Sequence, residues 1–146
     1  MKLNDKIIRQ FKNALKDEGL RFTSQRLAIL EDILGSDEHR DCDQIHLSVN
    51  KKNNKVSKAT IYRTVDVLLN HDFIRKLDIG DGSVRYESKI NSPRHDHMIC
   101  VETGDIIEFV DKRIEKIQNE IASRKGYKII KHVHYLFVKP AKSENK

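Results

Sequence analysis

Four stretches with helical spacing of apolar residues, a tight Gly-rich turn between two alternating runs, and a proline-containing break followed by further strand and helix patterns predict an α+β chain. The first part reads as a winged helix-turn-helix domain over residues 1–89, and the remainder as a small α/β domain over residues 90–146. At 146 residues the chain is long enough for one ordinary domain or two small ones.

Each element has a local reason. Leu3, Ile7, Ile8, Phe11 and Leu15 recur at helical spacing and Gly19 follows as a stop, which gives the first helix. Thr23 caps a second, with Leu27, Ile29, Leu30, Ile33 and Leu34 as its apolar face and Gly35 at its end. Asp41 and Gln44 form a capping box for a short third helix carrying Ile45 and Val49. Ser57 caps a fourth, in which Ile61, Val65, Leu68 and Leu69 share one face while Ala59, Tyr62, Arg63 and Asp66 point elsewhere. After His71 the period changes. Ile74, Leu77 and Ile79 lead through Gly80-Asp81-Gly82-Ser83 into Val84 and Tyr86, a β-hairpin. In such an architecture the helix before the hairpin is the one presented to a DNA major groove.

Asn91-Ser92-Pro93 interrupts the pattern and reads as a hinge. A strand over 97–101, a turn at Glu102-Thr103-Gly104-Asp105, a strand over 106–109 and a helix from about Asp111 to Lys125 follow, the helix ending at Gly126. Tyr127 to Val138, rich in Ile, Val, Tyr and Phe, is expected to be one last strand, with a polar tail after Pro140. About sixty residues bury little surface alone, so this half is expected to dimerise.

Composition narrows the function. The net charge is +6, and from Gln44 to Val65 the basic residues Lys51, Lys52, Lys55, Lys58 and Arg63 occur with no Asp or Glu, a pattern that attracts a polyanion. A solvated Lys-rich face is the plainer alternative. No run of eighteen apolar residues exists, so no membrane partner is expected, and the N-terminus lacks the apolar core of a secretory leader, so a cytoplasmic location is expected. Two cysteines, Cys42 and Cys100, make neither a disulfide framework nor a Cys-x-x-Cys pair.

The densest chemistry is His95-Asp96-His97, where strand alternation puts both imidazoles on one face. Glu87 and Glu108 lie at nearby element ends, and His132 and His134 repeat the spacing. Nitrogen and carboxylate donors without thiolate suit Fe(II), Mn(II) or Zn(II).

The runs GLRFTSQRLAIL, ATIYRTVDVLLNHDFI, RYE and HDHMICVETGDIIEF, in this order over about residues 19 to 138, closely resemble the ferric uptake regulator family of metal-dependent bacterial repressors. The resemblance implies a regulatory metal held by His39, Glu87, His95, His97 and Glu108, with His39 and Glu87 from the DNA-binding side. Fe(II) is the expected ion, one per subunit, with Mn(II) or Zn(II) able to substitute. It implies a second site at Asp96, Glu115 and His132, but the family's further histidine there aligns with Arg94, which cannot ligate a metal. The family often holds a structural zinc with two Cys-x-x-Cys pairs. Here Thr103 replaces the partner of Cys100 and the later pair is missing, so no four-cysteine zinc is expected, Cys100 reads as a core thiol, and apolar packing of Ile114, Ile117, Ile121, Ile129, Val133, Tyr135 and Phe137 must suffice.

On the DNA side the resemblance implies Tyr62 and Arg63 in the major groove, Arg21 toward the minor groove, and Lys58 and Thr60 near phosphates of a near-palindromic, A·T-rich operator bound by a homodimer. An arginine pairs bidentately with guanine, a tyrosine ring packs on thymine methyls, and a narrow A·T-rich minor groove attracts arginine. The reading is a repressor rather than an enzyme. A peroxide-sensing regulator of the same family is the near alternative, although that branch has aspartates where this chain has Glu87 and Glu108. A small metallohydrolase fits less well, since no general base stands apart from the proposed ligands. A winged-helix protein with incidental histidines is the plain alternative.

Overall fold

The computed structural model describes residues 3–52, 54–80, 82–90 and 95–142. Asp81 of the turn, the break at Asn91, Ser92 and Pro93, Arg94, and residues 143–146 of the tail lie outside them. The chain divides into two compact units, Met1–Pro93 and Arg94–Lys146.

In the first unit four helices, α1 (Asp5–Asp17), α2 (Ser24–Leu34), α3 (Cys42–Lys51) and α4 (Lys58–Asn70), precede the antiparallel pair β1 (Ile74–Asp78) and β2 (Val84–Ser88). The expected caps are present: Thr23 Oγ1 accepts from Arg26 N, Asp41 and Gln44 complete a reciprocal capping box, and Ser57 Oγ accepts from Thr60 N. Two helices end in the same backbone device. After α1, Leu20 N donates to Leu15 O and Gly19 N to Lys16 O, with Gly19 left-handed; after α4, Phe73 N donates to Leu68 O and Asp72 N to Leu69 O. At the second of these the left-handed residue is Asp72, at φ 63°, where glycine would be unstrained.

Phe11, Leu15, Ile29, Leu30, Ile61 and Leu68 are fully buried at the centre of this unit. Phe11 meets Phe22 and Phe73 edge to face, with centroids 6.2 and 6.1 Å away. Charged groups also reach the interior. Asp32 on α2, 3% exposed, forms an ion pair with Arg40 Nη1 at 2.9 Å and accepts from Lys52 Nζ at 2.8 Å and Ser48 Oγ at 2.6 Å. Burial by itself raises the Asp32 pKa, but bonds from Lys52 and Ser48 and the charges of Arg40 and Lys52 outweigh it and hold the carboxyl below its ordinary value. The network ties α2 to α3 and to the chain entering it.

The second unit is a three-stranded sheet of order β4-β3-β5, built from β3 (Asp96–Cys100), β4 (Ile106–Phe109) and β5 (Tyr135–Val138), with α5 (Lys112–Arg124) in the crossover. β3 runs antiparallel to β4 and parallel to β5, the parallel pairing being what the long crossover permits.

Two expectations need correction here. The final strand covers 135–138 rather than 127–138, because β3 has only five residues to pair and reaches β5 from His97↔Tyr135 to Cys100↔Val138. High β-propensity before Tyr135 finds no neighbouring strand, and Ile130 is 97% exposed. The apolar residues expected to pack this unit do not bury within one chain: α5 has no buried residue, and Ile117, Ile121, Ile129, Val133 and Phe137 are exposed. A three-stranded sheet and one helix have too little interior to enclose them. No helix among the described residues is long and apolar enough to cross a membrane.

Candidate functional site

Ligand-type side chains gather in both units. In the first, an isolated bridge joins the turn after α2 to β2, with Arg40 N donating to Tyr86 O at 3.2 Å and Tyr86 N to Arg40 O at 2.8 Å. That bridge sets the preceding His39 beside the following Glu87, and His39 Nε2 lies 2.6 Å from Glu87 Oε2. Glu87 is 4% exposed, and its other oxygen takes Arg75 Nη1 at 3.2 Å, across the hairpin at the register Arg75↔Glu87. Arg75 is a site residue that motif reading misses; hairpin register alone would have paired it with Glu87.

In the second unit His95 immediately precedes β3 and His97 lies within it, with ring centroids 4.6 Å apart. Glu108 faces His97 across the β3–β4 register and bonds His95 Nε2 through Oε2. The ligand atoms of His95, His97 and Glu108 all lie within 4.8 Å of one another. His97 is 3% exposed and its ring meets Tyr135 edge to face. A buried imidazole, a second imidazole and a carboxylate converging in this way make a donor set for a borderline divalent cation.

Of the expected second set, Asp96 and His132 come together, with His132 Nε2 3.4 Å from Asp96 Oδ1. Glu115 is not in that group and lines a neighbouring surface depression with Gln118 and His132; the third member is His134. Sequence spacing pointed to His134 without assigning it a role.

The two thiols differ. Cys42 is buried, and its pKa is pushed up to about 11 by desolvation and then by the charges of Asp41, Asp66 and Asp43, which leaves it inert. Cys100 is buried too, as expected of a core thiol, while hydrogen bonds from the Thr103 hydroxyl and backbone hold its pKa below the ordinary value.

The outer side of α4 is open. Lys58, Tyr62 and Arg63 are exposed, Tyr62 by 51%, while Ile61, Thr64, Val65 and Leu68 are buried. The helix thus presents a cation and an aromatic ring near an N-terminus whose amides favour phosphate. Lys58 Nζ meets Asp43 3.4 Å away in an exposed pair that a phosphate can outcompete. Thr60 is half-buried, its hydroxyl 3.0 Å from Ser57 Oγ. Arg21 is exposed, and its carbonyl accepts from Arg26 Nη1 at 2.6 Å. Gln25 Nε2 donates to Lys55 O at 2.7 Å and so pins the basic loop between α3 and α4, a contact no motif signals.

Residues 17–137 match the Ferric uptake regulator family. The ferric uptake regulation protein of Campylobacter jejuni is 33% identical over 135 residues, covering 91% of this chain and 85% of that one. The Helicobacter pylori ferric uptake regulator, whose structure is described as having three functional metal binding sites, superposes with a TM-score of 0.84 at 30% identity over 98% of this chain and 97% of that one. The Pseudomonas aeruginosa ferric uptake regulator with manganese gives a TM-score of 0.78 at 29% identity, over 90% and 98%.

Proposed function

Because this chain belongs to the ferric uptake regulator family and is thereby a metal-responsive transcription regulator, we propose that it is an Fe(II)-dependent repressor of metal-uptake or metal-homeostasis genes. The observation that carries the reading is the thiolate-free donor set, His39 with Glu87 in one unit and His95 with His97 and Glu108 in the other. Three neutral imidazoles and two carboxylates suit Fe(II), and Mn(II) or Zn(II) as substitutes. Buried Glu87 and His97 support it, since groups so desolvated gain from a cation.

The ion supplies a double positive charge and directional bonds. His95, His97 and Glu108 would hold it in the dimerisation unit, and His39 with Glu87 offer further donors in the DNA-binding unit. A cation bound by these residues would couple metal binding to DNA binding, and that coupling is reciprocal. Arg63 and Tyr62 then read base edges, Arg21 enters the minor groove, and Lys58 and Thr60 hold phosphates. A homodimer supplies two such helices for a near-palindromic operator in the cytoplasm, joined through the apolar surface that Ile117, Ile121, Val133 and Phe137 leave exposed in one chain.

Operator binding titrated with Fe(II), Mn(II), Zn(II) and chelator tests this. Affinity is expected to rise by about 10- to 100-fold with metal, within the usual span of coupling energies. His97→Ala should keep the fold and remove the response; unchanged metal dependence in that variant would exclude His97 as a ligand. Mass spectrometry of the Fe(II) protein after stoichiometric peroxide separates the peroxide-sensing reading, which requires rapid oxygen addition at His39 or His95.

A further inference from the structure

The outer surface of α1 sorts its polar residues by kind. At about 100° per residue, Arg9, Lys12 and Lys16 fall on one side of the helix, away from the buried Ile7, Phe11, Ala14 and Leu15, and all three are exposed. Gln10, Asn13 and Asp17 fall on the other side, where they line a depression with His71 and Phe73. Asp5 is the one acid on the basic side, in the first turn where the helix dipole favours it.

The basic side faces the chain between α1 and α2. Lys12 Nζ stands over the Phe22 ring, 4.7 Å from its centroid, and so close to Arg21. The Gln25 bond to Lys55 O then joins the start of α2 to the basic loop, which ends at Ser57 and Lys58 at the head of α4. A track of positive charge thus runs from Arg9 along α1, past Arg21, to the helix that carries Tyr62 and Arg63. Elsewhere in this unit Arg40, Lys52, Lys58, Arg75 and Lys89 each meet a carboxylate within 3.4 Å. Arg9, Lys12, Lys16 and Arg21 form no ion pair among the described residues.

We propose that Arg9, Lys12 and Lys16 form a second contact surface for double-stranded DNA, gripping backbone phosphates beside the stretch that Arg21 enters. From Arg9 to Lys16 the helix rises about 10 Å, and one DNA strand offers a phosphate about every 3.4 Å of its axis, so the row matches up to three successive phosphates. Long cationic side chains with no amide or aromatic ring among them suit phosphate rather than base edges. The inference rests on the operator reading of α4 and extends it: α4 supplies sequence preference, and α1 supplies affinity that is indifferent to sequence.

Anisotropy titrations of the full chain on operator and on random duplex, with Mn(II) saturating and salt varied between about 50 and 200 mM, test it. Arg9→Gln, Lys12→Gln and Lys16→Gln together should weaken binding to both duplexes by about 10- to 100-fold and lower the salt slope by about 0.9 for each phosphate released. Hydroxyl-radical protection should disappear from one stretch of backbone and persist at the α4 contacts. Lys12→Gln alone should lose several-fold, while Lys6→Gln, on the far side of α1, should change affinity by less than about twofold. Melting curves that overlay the wild type's show that the variants fold. An unchanged slope and footprint in the triple variant overturns the surface, and so do equal losses from Lys6→Gln and Lys12→Gln, which mark an effect of net charge alone. Arg63→Ala separates the two readings. Operator preference lost there with the triple variant at wild-type affinity sinks the α1 surface alone; preference intact there with the triple variant weakened sinks the reading of α4 alone.

Discussion

The two units solve the problem of stability differently. The first closes a core around Phe11, Ile29, Ile61 and Leu68 and even holds a buried aspartate paired with Arg40 and Lys52. The second has a sheet whose central strand is buried, but its helix has no buried residue and its apolar side chains face outward. A unit that leaves Ile117, Ile121 and Phe137 exposed is the one for which the proposed homodimer would supply the missing interior. The same kind of hydrophobic residue is interior in one unit and surface in the other.

The sharpest way to break the comparison is through charge. Asp32→Ala leaves Arg40 desolvated beside a missing carboxylate and is expected to cost about 3–5 kcal/mol in denaturant unfolding; a loss below 1 kcal/mol would show that solvent reaches the network. Since the folded pKa of Asp32 is depressed, its stabilisation is fully present above the unfolded carboxyl pKa and fades as pH falls through the folded one. Acid unfolding of Asp32→Asn should accordingly be shallower than that of wild type.

Next in size is a matched pair of truncations. Leu68→Ala should cost about 2–5 kcal/mol at any protein concentration. Ile117→Ala, at a position 55% exposed, should scarcely change the stability of a dilute single chain but should weaken self-association, visible in sedimentation. Equal effects for the two would erase the distinction. Arg63→Ala is expected to lose about 1–3 kcal/mol of operator binding with relaxed sequence preference, whereas Lys58→Ala should weaken all sequences evenly and lower the salt slope by about one. The smallest effect is a gain. Asp72→Gly relieves a left-handed aspartate and should stabilise by about 1 kcal/mol in thermal melts.

What could be read in advance follows the range of the interactions. The caps at Thr23, Asp41 and Ser57 and the glycine after α1 depend on residues a few positions apart, the hairpin on a short turn between neighbouring strands, and all were legible. The end of the chain was not. Whether 127–134 is strand depends on how far β3 extends, a residue-by-residue match some forty positions away that intrinsic propensity does not encode. The histidines of the HDH motif were found by spacing and resemblance, but the contact of Glu87 with Arg75 needed hairpin register, and the meeting of His134 with Asp96 needed the parallel pairing of β3 and β5.

The bridge between Arg40 and Tyr86 carries a practical corollary. Two reciprocal amide bonds stitch the turn after α2 to the hairpin, and they flank His39 and Glu87. A cation gripped by those two side chains would lock the stitch, and its departure would let it breathe. Deuterium uptake at just these two backbone nitrogens would therefore gauge occupancy of the sensor without a label, a mutation or an operator fragment.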